Sequence, residues 1–402
     1  MILQDIQTFS RAINIRIALR FLTILSNAMV MPYMAVFFVK KIGAEITTLF
    51  VIFIGATSIL GYLFEGRLAD IYGRKKLILI GESFVAIGFF IVAFCHMSID
   101  YQVYGSLVGF LLVYFFSSVA NPAYSAFIID ESTPENRKSI YTILLWTAYL
   151  GLTLGSFAGG FLFAKYTTHL FFVVGLSAFV SFLCILFFIK DTYRVREIEV
   201  ENTTNHQKGS WLFVYREILR SPAFLMLVAT SFIFSLMDEQ LSYYLGIHYV
   251  RLFAEDGYQL IGFLRGENTI IAVFATLFLV RLLRGKSEMS NLLLGTILFF
   301  LGYISLSYFE QFTYLYIAMA VASIGEIIWL PAQQTLVANS IPDQYRSTYS
   351  SVLGISSTIG GVAGAIFILL SAYLNSLQIT FLYALLGVIT ITVVIIFKNK
   401  LG

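Results

Sequence analysis

Gly66-Arg67-Leu68-Ala69-Asp70-Ile71-Tyr72-Gly73-Arg74-Lys75-Lys76 parts two long apolar runs, residues 49–64 and 77–95. A polar stretch this short between two such runs reads as a tight loop joining two hydrophobic helices. Gly66 permits close helix approach and Gly73 permits a backbone turn. Asp70 with Arg74 offers an ion pair that latches the loop.

Outward from that stretch the chain stays apolar. Of its 402 residues 58% are hydrophobic and 12% are charged, and the mean hydropathy is +0.84. Crossing ~30 Å of hydrocarbon takes about 20 apolar residues. Runs of that order recur twelve times, at 17–39, 44–64, 77–96, 104–129, 139–164, 170–189, 222–248, 260–283, 291–308, 313–338, 347–374 and 378–397. An all-α membrane protein of twelve spans is therefore expected. Pro32 is expected to bend span 1, which membrane helices tolerate. The N-terminus shows no short apolar core followed by a small-residue cleavage site, so a cleaved signal peptide is not expected.

The net charge of +3 says little, but the placement of the basic residues says more. With the N-terminus inside, all but six of the 26 Lys and Arg fall in inner segments, the exceptions being Lys40, Lys41, Lys165, Arg251, Arg265 and Arg20. The positive-inside rule then places both termini in the cytoplasm, and the cell membrane is the expected location. Charges dispersed over many short loops make a poor nucleic-acid surface, so no nucleic-acid partner is expected. Cys95 and Cys184 sit in different spans, and the four histidines lie at span ends or in loops without ligand spacing. Neither a disulfide framework nor a metal site follows from them.

The two halves of the chain repeat one another. Asn121-Pro122-Ala123 is echoed by Leu330-Pro331-Ala332, Arg137 by Arg346, and Gly151 and Gly155 by Gly360 and Gly364, each 209 positions on. The repeat divides the chain into a six-span half at 1–189, a polar linker at 190–221 and a second six-span half at 222–402. In span 5, Gly151, Gly155, Gly159 and Gly160 present a flat ridge for a neighbouring helix.

The pattern G-x-L-A-D-x-x-G-R-K-K resembles the loop signature of the major facilitator superfamily of transporters, found between its second and third spans. The glycine run G-x-x-x-G-S-x-x-G-G resembles the span 5 signature of the superfamily's antiporters, with Ser156 in place of their proline. This resemblance implies two parallel six-helix halves related by an axis along the membrane normal. It also implies a conformational latch on the inner side, built from Gly66, Asp70, Gly73, Arg74 and Asp130, with Arg74 pairing Asp130.

Ionisable residues at membrane depth cost about 2.5–3.5 kcal/mol on insertion scales and mark functional positions. Three acids stand out inside spans: Asp238 and Glu239 in span 7, and Glu326 in span 10. Projected at ~100° per residue, Ser231, Ser235, Asp238, Glu239, Ser242 and Gly246 share one face of an unbroken span 7. Asn27, Tyr33, Asn121, Trp146, Tyr149, Tyr243, Trp329 and Gln333 are expected to add polar and aromatic walls to a cavity. Low dielectric disfavours a charged carboxyl, which exchanges its proton with whichever side supplies water. Once ionised, it attracts a cation, and aromatic faces add to that attraction. Proton and cation then compete for one site. No cluster of Arg or Lys is apparent within the spans, which disfavours an anionic substrate.

Gly325-Glu326-Ile327-Ile328-Trp329-Leu330-Pro331-Ala332-Gln333-Gln334, with Ile128-Ile129-Asp130 and Glu135-Asn136-Arg137-Lys138, resembles the twelve-helix drug/proton antiporter group of the superfamily. The resemblance implies export of lipophilic cations against protons, with Glu326 and one of Asp238 and Glu239 as coupling acids. The proton is the coupling ion and no cofactor is needed. The expected partners are lipophilic small molecules and membrane lipid, and one chain suffices. A carrier for a specific solute such as a peptide, sugar or lipid is the alternative. An enzyme would need a nucleophile–base set or metal ligands, which do not appear.

Overall fold

The computed structural model describes residues 9–98, 101–133, 136–189, 221–283, 285–340 and 346–401. Side chains at 62–72, 122, 126, 130, 138, 277, 280–282, 346–351 and 399–401 lie outside the description. The described chain is helical throughout: α1 Arg11–Ala28, α2 Met34–Tyr72, α3 Arg74–His96, α4 Gln102–Glu131, α5 Arg137–Phe188, α6 Pro222–Asp238, α7 Tyr244–Phe253, α8 Glu255–Leu282, α9 Glu288–Tyr308, α10 Phe312–Ser340, α11 Arg346–Ala363, α12 Ile366–Tyr373 and α13 Ser376–Leu401. Short 3₁₀ turns occupy Met31–Tyr33 and Glu239–Leu241.

Local chemistry sets the ends. Ser10 caps α1 by accepting from Ile13 N at 3.3 Å, and Ser221 caps α6 by accepting from Phe224 N at 3.4 Å with Pro222 in the first turn. Pro32 lies in the 3₁₀ turn that ends α1, so the expected bend is a full interruption. Gly73 joins α2 to α3 at φ 81°, a backbone region that only glycine enters without strain.

Nine helical stretches among the described residues are long and apolar enough to cross a membrane. Two are about twice the needed length, Arg11–Gly61 and Ser139–Phe188. Breaks interrupt the long helices inside them, at Gly43 (φ 81°, ψ 166°) in α2 and at Tyr166 (φ −125°, ψ 30°) in α5. Phe94, Phe187, Phe274 and Phe381 are each more than 60% exposed, as residues facing lipid tails are. The protein is a multi-pass membrane protein.

The chain separates into two compact units, Met1–Glu199 with Tyr249–Gly266, and Val200–His248 with Glu267–Gly402. In the first, the glycine ridge of α5 lies on α1. A β-carbon at Gly155 would collide with Leu25 O, and one at Gly159 would stand 2.7 Å from Met29 O. The second unit repeats this with α11 on α6, where a β-carbon at Gly360 would collide with Phe232 O and one at Gly364 would stand 2.8 Å from Leu236 O. Gly160 meets the start of α8 instead, its missing β-carbon 3.1 Å from Gln259 Cα. Leu19, Leu77, Ile78, Val119, Ala123 and Phe127 form one apolar cluster in the first unit, tying α1, α3 and α4 together.

Span 7 departs from expectation. It stops as an α-helix at Asp238, turns through Glu239–Leu241 and resumes at Tyr244. Buried Gln240 pins the break: its Nε2 donates to Leu236 O at 2.7 Å and Gly364 O at 3.2 Å, and its Oε1 accepts from Tyr383 Oη at 3.2 Å.

Candidate functional site

In the second unit α6, α10 and α11 surround a cavity of about 700 Å³. Four α6 residues reach it, Ser231, Phe234, Ser235 and Asp238, one helical turn apart along one face. From α10 come Glu326, Trp329 and Gln333. No basic residue lines it among the described residues. The Phe234 ring stacks on Trp329 with centroids 3.9 Å apart and planes 7° off parallel, and on Phe299 at 3.9 Å and 19°. The cavity thus combines two carboxyl groups with a stacked aromatic wall, which is chemistry for holding a cation.

Glu326 is held in place from α8. Asn268 Nδ2 donates to Glu326 Oε2 at 2.8 Å and to Ser323 Oγ at 3.1 Å, while Ser323 Oγ donates to Met319 O at 2.8 Å. Asp238, at the last turn of α6, accepts from Tyr303 Oη through its main-chain oxygen at 3.2 Å and through Oδ1 at 3.5 Å. Asn268 and Tyr303 were absent from the sequence-derived set, because their importance arises from helices far apart in the chain.

Glu239, Ser242 and Gly246 do not line this cavity. The unbroken projection of span 7 fails there because the 3₁₀ turn resets the helical phase after Asp238. Trp146, Tyr149 and Tyr243 line neither this cavity nor the one described next, and Trp146 is 52% exposed. Tyr33 is fully buried instead of wall-forming: its hydroxyl donates to Ser156 O at 3.1 Å and its ring stacks on Phe163 at 4.9 Å.

A second cavity, about 230 Å³, lies within the first unit. Arg16, Arg20, Thr23 and Asn27 of α1, Glu82 of α3, and Asn121 and Tyr124 of α4 line it. Tyr124 Oη donates to Glu82 Oε1 at 2.5 Å, and Arg16 Cζ lies 3.4 Å from the centroid of the Tyr124 ring. Arg20 Nε donates to Leu144 O at 3.3 Å. Arg16 and Glu82 are 6% and 8% exposed, so both charges are buried. This cavity corrects two expectations. Glu82 is a further acid within a span, since it sits eight residues into α3, about 12 Å from the start at 1.5 Å per residue. Arg16 and Arg20 together are a basic pair placed inside, where Arg20 alone, and no cluster, had been expected. Counting Arg16 as an inner-flank charge concealed it, yet α1 begins five residues earlier, at Arg11.

The latch residues divide. Gly73 makes the turn between α2 and α3, and Arg74 is half-buried. The side chains of Asp70 and Asp130, and the surroundings of Gly66, lie outside the described residues. Lys75 Nζ donates to Leu186 O at 3.1 Å. Cys95 and Cys184 are free thiols, and no metal-holding group of His, Cys, Asp or Glu occurs among the described residues.

The Major Facilitator Superfamily model matches residues 17–365. The chain belongs to the major facilitator superfamily. Among its relatives is a Na(+), Li(+), K(+)/H(+) antiporter of Planococcus maritimus, 23% identical over 388 residues, covering 92% of this chain and 91% of that protein. The MFS-type transporter YhjO of Bacillus subtilis (strain 168) is 23% identical over 377 residues, covering 90% and 87%. Solved structures with the same fold include a POT family transporter in complex with 5-aminolevulinic acid, at TM-score 0.72 and 14% identity over 98% of both chains. The POT family transporter PepTSo superposes at TM-score 0.73 and 13% identity over 98% of both chains. At such identities the likeness speaks for the superfamily fold alone. The family is one of transporters, so the chain is a transporter.

Proposed function

We propose that this superfamily member exports lipophilic cations in exchange for protons, by alternating access, as a twelve-span monomer of the cell membrane with both termini cytoplasmic. The breaks at Gly43 and Tyr166 support the span count, since each divides an over-long apolar stretch in two, which makes eleven of the nine, and α8 supplies the twelfth. In this reading the chain is akin to the lactococcal drug/proton antiporter LmrP. Glu326 and Asp238 are the coupling acids, and Phe234 and Trp329 form the aromatic wall. Gly66, Asp70, Gly73, Arg74 and Asp130 act as the latch between conformations.

One observation carries the reading: two carboxyl groups and a stacked Phe–Trp pair share a cavity lined by no base among the described residues. A cation entering it displaces the proton, and reprotonation from outside ejects the cation. The antiporter relative, whose name gives it Na(+), Li(+) and K(+) as substrates, favours a second reading with inorganic cations. A small metal ion needs a close cage of oxygens, whereas a cavity of about 700 Å³ with aromatic walls matches the size of an organic ligand.

The test is uptake of a fluorescent lipophilic cation into inverted vesicles under an imposed proton gradient. Wild type is expected to accumulate it, and Glu326→Gln to lose at least about tenfold in rate, as removal of a coupling group does. Accumulation unchanged in Glu326→Gln rejects the coupling role. Proton exchange driven by sodium or potassium, with no organic cation moved, selects the second reading.

A further inference from the structure

We propose that the cavity of the first unit, between α1, α3 and α4, is a binding site for a compact anionic group, a carboxylate or a halide. The site is independent of the cation cavity in the second unit. Two guanidinium groups, Arg16 and Arg20, line it against one carboxyl, Glu82. Whatever the protonation of Glu82, positive charge exceeds negative. An uncompensated charge buried at membrane depth is costly, and a bound anion offsets that cost.

Two buried polar atoms of this cavity's lining residues point to a missing partner. Arg16 Nε and Thr23 Oγ1 are both buried and have no hydrogen-bond partner among the described residues, although Arg16 is more than nine-tenths buried. Both are donors, as an anion requires. Buried donors left unmade are rare in folded proteins. Asn27 and Asn121 line the same space and add amide groups beside the arginines. Tyr124 fixes Glu82 with its hydroxyl and supports Arg16 with its ring, so both charged groups are held in place before any ligand arrives.

The experiment is thermal unfolding of the full-length protein in lipid nanodiscs. Sodium acetate or sodium chloride is titrated at constant sodium, with bulky lactobionate as the balancing anion. Anything that binds the folded state raises the midpoint in a saturable way. Such a rise is expected for wild type. Acetate acting alone assigns a carboxylate-bearing ligand, chloride alone a halide, and both together any compact anion.

Arg20→Gln is expected to weaken the apparent affinity at least about tenfold, and Thr23→Val about threefold, as loss of a charged and a neutral partner does. Glu82→Gln is expected to leave it at least as tight as in wild type, since both positive charges of the lining stay. A merely structural ion cluster would lose binding in that variant along with the other two. Arg20 and Thr23 are only partly buried, so these variants keep the test open if replacing Arg16 prevents folding. A flat wild-type response to both anions overturns the proposal, as does an unchanged affinity in all three variants. Neither result bears on cation uptake by the second unit.

Discussion

The two cavities sit in units with the same helix packing and hold opposite chemistry. In the first, α5 glycines lie on α1 and the cavity carries two arginines and one glutamate. In the second, α11 glycines lie on α6 and the cavity carries a glutamate and an aspartate, with no base among the described residues. The repeat kept the backbone contacts and released the side chains facing the interior. A helix can be held through its glycines on one side while its other side changes charge, because the two sides answer to different physical demands.

If the glycine ridges are equivalent supports, Gly155→Val and Gly360→Val both force a side chain into a neighbouring carbonyl. Each is expected to lose most of its folded yield, because overpacking against backbone exceeds the usual cost of about 1–3 kcal/mol. Size-exclusion profiles in mild detergent read this out, and a loss in only one variant breaks the equivalence.

Within the acidic cavity, Asp238→Asn is expected to slow gradient-driven cation uptake about tenfold and Glu239→Gln less than about twofold. Only Asp238 lines the space. The reverse order in the vesicle assay would put the 3₁₀ turn, not the end of α6, at the centre of coupling. Asn268→Ala removes the donor that positions Glu326 and is expected to slow uptake about threefold at saturating cation. A change confined to the half-saturating concentration would assign Asn268 to substrate contact instead. In the first unit the expected change is in stability, not in uptake. Tyr124→Phe deletes the hydrogen bond to Glu82 and is expected to cost about 2 kcal/mol of stability, read from unfolding in a denaturing detergent series.

What was legible in the sequence depended on how local its cause was. Gly73 is forced by a turn of one residue, and the pairs Gly151/Gly155 and Gly360/Gly364 announce themselves by spacing. Glu326 stands out because one acid in an apolar run is visible without any partner. The end of α6 was not legible, since the residue that pins the break, Gln240, acts through Gly364 and Tyr383, more than a hundred positions away. Glu82 was legible by the same rule as Glu326 and was passed over. Its meaning, however, comes from Arg16 and Tyr124, which only the packing of three helices brings to it. Tyr33 shows the opposite error: an aromatic residue in a span reads as a wall even where it packs inside the unit.

The glycine ridges carry one more consequence. Glycine has no side-chain rotamers to lose on burial, and main chain laid on main chain leaves no torsion by which the contact can slacken. The pairs α1–α5 and α6–α11 therefore behave as struts, stiff against lateral slip. Any change of shape within a unit has to be taken up at joints such as Gly73 and the turn after Asp238.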